Sequence, residues 1–228
     1  MYRLPVLLLL LLALPLLHAC ASPPKIAAEG DIPSGPTFLV DDWVRRGHPQ
    51  VSVRAQNTPR QAPTALFVPL RLTQPTEKAR TVGNSISRQV WQAWLQQRVF
   101  PVIEFADNAP PYRPDLAMQM ARAKGAQVVV GGYITQLLDG GTAGDSRLSL
   151  QLEIYNVETG DLIWSMAHAG IMERQFTNDF ILFAIKARMP SDPLAAITMT
   201  LARDMGDEVR GWLYPPPPKT RSNAPAFQ

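Results

Sequence analysis

The chain has 228 residues, with 22 lysines and arginines against 19 aspartates and glutamates. Its single cysteine excludes an intramolecular disulfide and a cysteine-based metal cluster. Hydrophobic residues make up 46% of the sequence, which is enough for a core and excludes wholesale disorder. A formal charge of +3 without a clustered basic face argues against nucleic-acid binding.

The first twenty residues have the pattern of an export signal. Arg3 supplies a positive charge, a leucine-rich run extends from Leu4 to Leu17, and the small residue Ala19 precedes Cys20. The apolar run is short for a membrane-spanning helix, which needs about 20 residues. We therefore predict that residues 1–19 are a signal peptide that is cleaved between Ala19 and Cys20.

The end of this signal, Leu17-His18-Ala19-Cys20, resembles the lipobox of bacterial lipoproteins. In that family the cysteine thiol is diacylglycerylated, the signal is cut before the cysteine, and the new amine is acylated. The resemblance implies that Cys20 is the lipidated first residue of the mature protein. Ala21 stands where an aspartate would resemble the inner-membrane retention signal, so the outer membrane is favoured. A plain secretory signal and an uncleaved anchor are the alternatives.

Proline-rich segments flank a domain predicted over residues 64–214. Residues 20–63 are rich in proline and glycine, which predicts an extended tether after the lipidated cysteine. Residues 38–44, which include Trp43, interrupt the tether as an apolar island that docks either on the domain or on a partner. Residues 215–228 begin with four prolines and are predicted to be a disordered or polyproline tail.

The domain's hydrophobic periodicity predicts eight elements in the order β-α-β-α-β-β-β-α. Pro69, in the first strand, indicates an edge position or a bulge there. Strands and helices are predicted over residues 64–72, 76–98, 102–106, 114–124, 127–138, 147–157, 162–173 and 193–212. Right-handed crossovers make the first three strands parallel, and the last three form an antiparallel meander. The predicted fold class is therefore α/β, a small mixed sheet with helices packed on it.

Three stretches of the domain resemble a group of bacterial envelope lipoproteins. Residues 123–133 (AKGAQVVVGGY) match the group's helix end and following strand, residues 150–163 (LQLEIYNVETGDLI) match its hairpin, and the helix over 77–98 leads into the second strand. The group includes flagellar outer-membrane lipoproteins of the FlgO type, the curli secretion lipoprotein and the lipoprotein activators of penicillin-binding proteins. The hairpin also occurs in the amino-terminal domain of the translocation protein TolB.

The resemblance implies the shared α/β fold and a non-catalytic role. The implied protein is an outer-membrane lipoprotein facing the periplasm that binds or scaffolds flagellar, secretion or cell-wall machinery, with a FlgO-like role favoured. The alternative is a structural subunit of an oligomeric outer-membrane ring or secretion complex, which would make the chain a homo-oligomer. We interpret Asn156 and Gly160 in the hairpin as structural turn residues.

An apolar insertion over residues 176–193 does not alternate as a strand would, and it is predicted to be a short helix or lid with a basic end. The insertion either packs in the core or forms a surface that contacts a partner or a membrane. The candidate partner contacts are Phe176, Phe180 and Phe183, together with Trp43, because aromatic residues dominate interface hot spots.

The sequence contains no motif of catalytic or cofactor chemistry. His48 and His168 are the histidines left after signal cleavage, and neither belongs to a metal-binding or nucleophile motif. The pair Gly131-Gly132 lacks the spacing of a phosphate-binding loop. We therefore predict no metal, no cofactor and no enzymatic activity. A hydrolase with a dispersed site, using His168 as its base, is the third hypothesis.

Overall fold

The computed structural model describes residues 37–41, 44–173, 177–179 and 184–215. Three helices lie in this part of the chain, α1 (Ala79–Gln97), α2 (Pro114–Lys124) and α3 (Pro193–Leu213). The strands before α2 are β1 (Thr37–Asp41), β2 (Arg45–Arg46), β3 (Gln50–Arg54), β4 (Ala65–Phe67), β5 (Arg71–Leu72) and β6 (Ile103–Phe105). Those after it are β7 (Val128–Leu138), β8 (Ser146–Asn156), β9 (Leu162–Met172), β10 (Thr177–Asp179) and β11 (Ala184–Arg188).

The main sheet has eight strands and confirms the mixed α/β fold. Its order is β2-β9-β8-β7-β4-β6, with β3 also paired to β9 and β5 also paired to β7. β4 lies between β6 and β7 and is parallel to both, as right-handed crossovers through α1 and α2 require. β7, β8 and β9 form the predicted antiparallel meander.

Helices cover both faces of the sheet. The larger core packs α1 and α3 against one face through buried side chains such as Val90, Trp94, Leu150, Leu201 and Met205. The Trp94 indole N–H donates to the Ala202 carbonyl at 2.9 Å, which ties α1 to α3. The smaller core packs α2 against the other face, over β4 and the first half of β7. The second half of that face is not covered by a described helix.

The first predicted strand is divided in two. β4 ends at Phe67 and β5 begins at Arg71, with Pro69 between them. Because β4 is an interior strand, Pro69 marks an irregularity within the strand and not a sheet edge. The backbone N–H of Leu70, which leaves the ladder here, donates to the Ser87 hydroxyl at 2.8 Å.

The structure places part of the predicted tether in the sheet. β2 and β3 pair antiparallel with β9, ahead of the domain start predicted at residue 64. Gly47 and Pro49 separate the two strands and gave the segment its linker-like composition. Val44 is buried against Gly170, where a Cβ would lie 2.8 Å from its Cγ1 atom.

The sequence predicts a short helix or lid over residues 176–193, and the helix is wrong for residues 177–179 and 184–188, which form β10 and β11. These strands pair antiparallel, and β1 pairs in parallel with β11 to complete a three-stranded sheet. Periodicity does not separate short apolar strands from helices, and the partner strand lies far away in the sequence. Residues 38–41 of the apolar island therefore pair with the chain itself.

Candidate binding surface

The residues predicted from sequence to carry the anchor and the partner contacts lie outside the described part of the chain. They are Ala19, Cys20, Trp43, Phe176, Phe180 and Phe183. Their roles stay predictions. Within the described part, the candidate functional side chains lie on the open face of the sheet, in the hairpin and in the groove beside it.

The hairpin recognised in the sequence forms the predicted turn between β8 and β9. Asn156 Oδ1 accepts hydrogen bonds from the backbone N–H groups of Glu158 at 2.8 Å and Thr159 at 3.2 Å. Gly160 has a φ of 82°, which glycine adopts without steric cost. The structure thus supplies a structural reason for each turn residue of the motif.

A groove of about 910 Å³ lies beside this hairpin. Its lining includes Val53, Arg54, Gln127, Glu158, Ile163 and Trp212. The Trp212 indole N–H donates to the Asn57 carbonyl at 3.0 Å, which holds the loop after β3 against α3. Apolar, aromatic and oppositely charged groups thus meet in one open depression, a composition typical of protein contact surfaces.

Three tyrosines surround one carboxylate on the open face of the sheet. Tyr112 Oη donates to Glu153 Oε2 at 2.8 Å, and Tyr155 Oη lies 3.4 Å from the same oxygen. Gln151 Nε2 donates to Glu153 Oε1 at 3.1 Å. The ring of Tyr133 stands edge-on to that of Tyr112, with centroids 5.3 Å apart. No ion pair to Glu153 occurs within the described residues, so neutral donors hold its carboxylate.

Two adjacent glycines of β7 allow close packing, Gly131 against the tyrosine cluster and Gly132 against β8. A Cβ on Gly131 would lie 2.2 Å from the Tyr112 ring, so the absence of a side chain lets that ring approach the strand closely. A Cβ on Gly132 would lie 2.0 Å from the Gln151 carbonyl oxygen of β8. Close packing therefore explains the Gly131-Gly132 pair.

The environment of the cluster keeps its hydroxyls protonated. Burial, followed by the hydrogen bond to Glu153, raises the pKa of Tyr112 far above its ordinary value. Burial and the charge of Glu153 also raise the pKa values of Tyr133 and Tyr155. All three phenols are therefore protonated at neutral pH.

His168 is closed off from solvent on the opposite face of the sheet. It is 4% exposed, and its Nε2 atom lies 3.0 Å from Asp204 Oδ2 on α3. Arg46 of β2 binds the same carboxylate through Nε, with Nη2 at 3.3 Å from Oδ1. Burial opposes the charged form of Asp204, but hydrogen bonds from Arg46 and His168 outweigh it and lower the pKa of the carboxyl. The cluster joins β2, β9 and α3.

The described residues contain no group of three or more histidine, cysteine, aspartate or glutamate side chains placed to hold a metal ion. Among the same residues, no helix combines the length and the apolar character needed to cross a bilayer.

We did not predict the tyrosine cluster from the sequence, although part of its pattern is visible there. On β8 the alternation places Gln151, Glu153 and Tyr155 on the face opposite the buried leucines. That pattern identifies polar residues on an open face. The position of Tyr112, 41 residues away in a loop before α2, depends on tertiary packing and leaves no local trace.

No family model matches this sequence, and no curated protein matches it. The fold is similar to that of the PelC dodecamer from Paraburkholderia phytofirmans, with 15% identity over 68% of this chain and 93% of that chain, at a TM-score of 0.46. It is similar to the lipoprotein GNA1162 from Neisseria meningitidis, with 12% identity over 49% of this chain and 84% of that chain, at a TM-score of 0.36. It is also similar to the LpoB C-terminal domain from Salmonella enterica, with 19% identity over 50% of this chain and 86% of that chain, at a TM-score of 0.28. At these identities and TM-scores the likeness carries no functional argument.

Proposed function

We propose that this chain is a non-catalytic outer-membrane lipoprotein that faces the periplasm and binds or scaffolds another envelope component. The observation that carries the proposal is Leu17-His18-Ala19-Cys20, where the chain's single cysteine ends a leucine-rich export signal. Each buried CH₂ group of an acyl chain contributes about 0.8 kcal/mol, so the chains attached at one lipidated cysteine make a stable anchor.

A binding role is supported by how the reactive side chains are engaged. The imidazole of His168 is buried against Asp204, where no substrate reaches it. The carboxylate of Glu153 accepts hydrogen bonds from tyrosine and glutamine side chains on an open sheet face. The groove beside the 156–161 hairpin offers a contact surface of mixed polarity.

The aromatic residues Trp43, Phe176, Phe180 and Phe183 are our proposed partner contacts, and flagellar machinery is the envelope system we favour. The resemblance of residues 123–133 and 150–163 to lipoproteins of the FlgO type motivates that choice. A flagellar role predicts that deleting the gene impairs motility while growth is unchanged. Normal motility with altered cell-wall or secretion phenotypes would redirect the assignment to those systems.

Replacing Cys20 by alanine is expected to release the protein from the membrane. The wild-type chain should sediment with the outer membrane, with a mature mass that begins at Cys20 and includes about three acyl chains. Intact-mass spectrometry and membrane fractionation of both forms measure this. A soluble, unmodified wild-type product would refute the lipoprotein assignment. Ser22→Ala, two residues further on, is the matched control and should leave signal processing and sedimentation unchanged.

A photo-crosslinking amino acid at position 180 is expected to capture the envelope partner in living cells. The same crosslinker at Arg147, an exposed residue on the main sheet, is the control and should give no such adduct. A crosslinker placed at position 43 should capture the same partner. Replacing Phe176, Phe180 and Phe183 together by alanine should abolish this second adduct without changing the melting temperature. A large loss of stability in the triple variant would show that these residues belong to a core instead.

A further inference from the structure

An apolar groove lies where α1 and α3 end. We call it the helix-end groove. Its volume is about 500 Å³, and it is lined by Leu95, Arg98, Phe100, Pro101, Arg210 and Tyr214. Leu95 is 48% exposed, Tyr214 is 46% exposed, and Val102, in the same loop as Pro101, is 57% exposed. Large apolar side chains that cluster at the surface usually mark a contact site.

The helix-end groove carries positive charge. Neither Arg98 nor Arg210 forms an ion pair within the described residues. Arg98 caps α1 with a φ of 53°, a left-handed conformation that glycine normally supplies. Asp207, one turn before Arg210, is held by the side-chain amide of Gln97 at 2.9 Å. The groove therefore suits an apolar side chain that is accompanied by a negative charge.

The loop between β7 and β8 presents that combination. Residues 138–145 are named here the hairpin tip, and Leu138 at its base is 49% exposed. Asp139 follows directly, and its Oδ1 atom accepts a hydrogen bond from the backbone N–H of Gly141 at 3.0 Å, which orders the carboxylate within the hairpin tip. Asp145 ends the tip, 3.9 Å from Arg147. Among the described residues outside 37–41, 177–179 and 184–188, the exposed large hydrophobic residues are Leu138, the groove residues Leu95 and Tyr214, and Val102.

The groove and the tip lie at opposite ends of the main sheet. Val102 precedes Ile103, which is in register with Ala65, and Ala65 is in register with Val128 at the start of β7. Leu138 ends β7, 11 residues long. A strand of that length spans about 35 Å at roughly 3.3 Å per residue. The two surfaces therefore cannot meet within one copy of the chain.

We propose that the hairpin tip of one copy binds the helix-end groove of a second copy. Leu138 packs between Leu95 and Tyr214, and Asp139 faces Arg210 and Arg98. Because the two surfaces differ, the contact is heterologous and repeats head to tail, closing into a ring where the rotation allows. The proposal goes beyond the lipoprotein function and does not depend on the anchor.

Disulfide trapping tests this contact in the secreted chain carrying Cys20→Ser, in which engineered cysteines are the only thiols. Leu138→Cys combined with Tyr214→Cys should give dimers and higher ladders on oxidation. Leu138→Cys combined with Ala167→Cys, an exposed position on the sheet face, is the control and should stay monomeric. Dimers from Leu138→Cys alone would indicate a symmetric contact and overturn the proposal. Monomers in every variant would also overturn it.

Charge exchange tests the same contact without cysteines. Arg210→Glu and Asp139→Arg should each weaken self-association, measured by light scattering over a concentration series, by about tenfold, as expected for a close charge pair across an interface. The double variant should recover the wild-type affinity to within about threefold. Arg203→Glu, exposed on α3 outside the groove, is the matched control and should have no effect. Failure of the double variant to recover association, or an equal effect of Arg203→Glu, would refute the proposal.

Discussion

Replacing Gly132 by alanine is expected to destabilise the domain by roughly 3 kcal/mol or more. Gly132 has a φ of 149°, and a Cβ there would lie 2.0 Å from the Gln151 carbonyl oxygen and 2.9 Å from its carbon. Backbone strain of this kind costs about 1–3 kcal/mol, and overpacking adds a further ~1–3 kcal/mol. The obstacle is the backbone of the neighbouring strand, which no rotamer change can move.

Urea unfolding of the wild-type chain and of two glycine variants measures this effect. Gly211 lies in α3, and a Cβ there would meet nothing within 4 Å. Gly211→Ala should therefore be neutral or should stabilise the chain by about 0.4–1 kcal/mol, because alanine restricts the unfolded chain. Equal midpoints for Gly132→Ala and Gly211→Ala would contradict the close approach of β7 and β8 at Gly132.

The elements that periodicity predicted correctly are those that bury one face over many residues. The stripe of Ile86, Val90 and Trp94 identified α1, and each of these side chains is 2% exposed or less. The alternation along β8 placed Leu148, Leu150, Leu152 and Ile154 on one buried face. Burial of a continuous stripe dominates local conformation, so a single sequence carries enough information for these elements.

Short strands such as β1 and β3 could not be predicted, because their stability comes from distant partners. β3 pairs with β9 across more than a hundred residues, and β1 pairs with β11 across a still longer separation. Their local sequences contain glycine and proline neighbours or mixed apolar runs that are compatible with a linker or a helix. The same reason applies to the surfaces. The tyrosines around Glu153 and the arginines of the helix-end groove come together only in the folded chain.

Replacing Asp204 by asparagine is expected to destabilise the folded chain by about 2–3 kcal/mol at neutral pH, because hydrogen bonds to charged groups contribute about 1.5–3 kcal/mol. The Asp204 carboxylate binds Arg46 and the buried His168, and its side chain is 26% exposed. The substitution removes polar contacts that hold β2 and β9 to α3. The control is Glu208→Gln, on the same helix as Asp204, which breaks an exposed ion pair to Arg54 of β3. It should lower the free energy of unfolding by less than about 1 kcal/mol.

The pH dependence of unfolding distinguishes this ion cluster from a packing effect. The hydrogen bonds lower the pKa of Asp204 in the folded state, so its contribution is complete above the carboxyl pKa of the unfolded chain, about 3.9. That contribution is lost as the pH falls through the lower pKa of the folded state. The difference in unfolding free energy between wild type and Asp204→Asn should therefore shrink as the pH falls below about 4. A difference that persists unchanged at low pH would mean that the substitution acts through packing and that the charge of Asp204 contributes nothing.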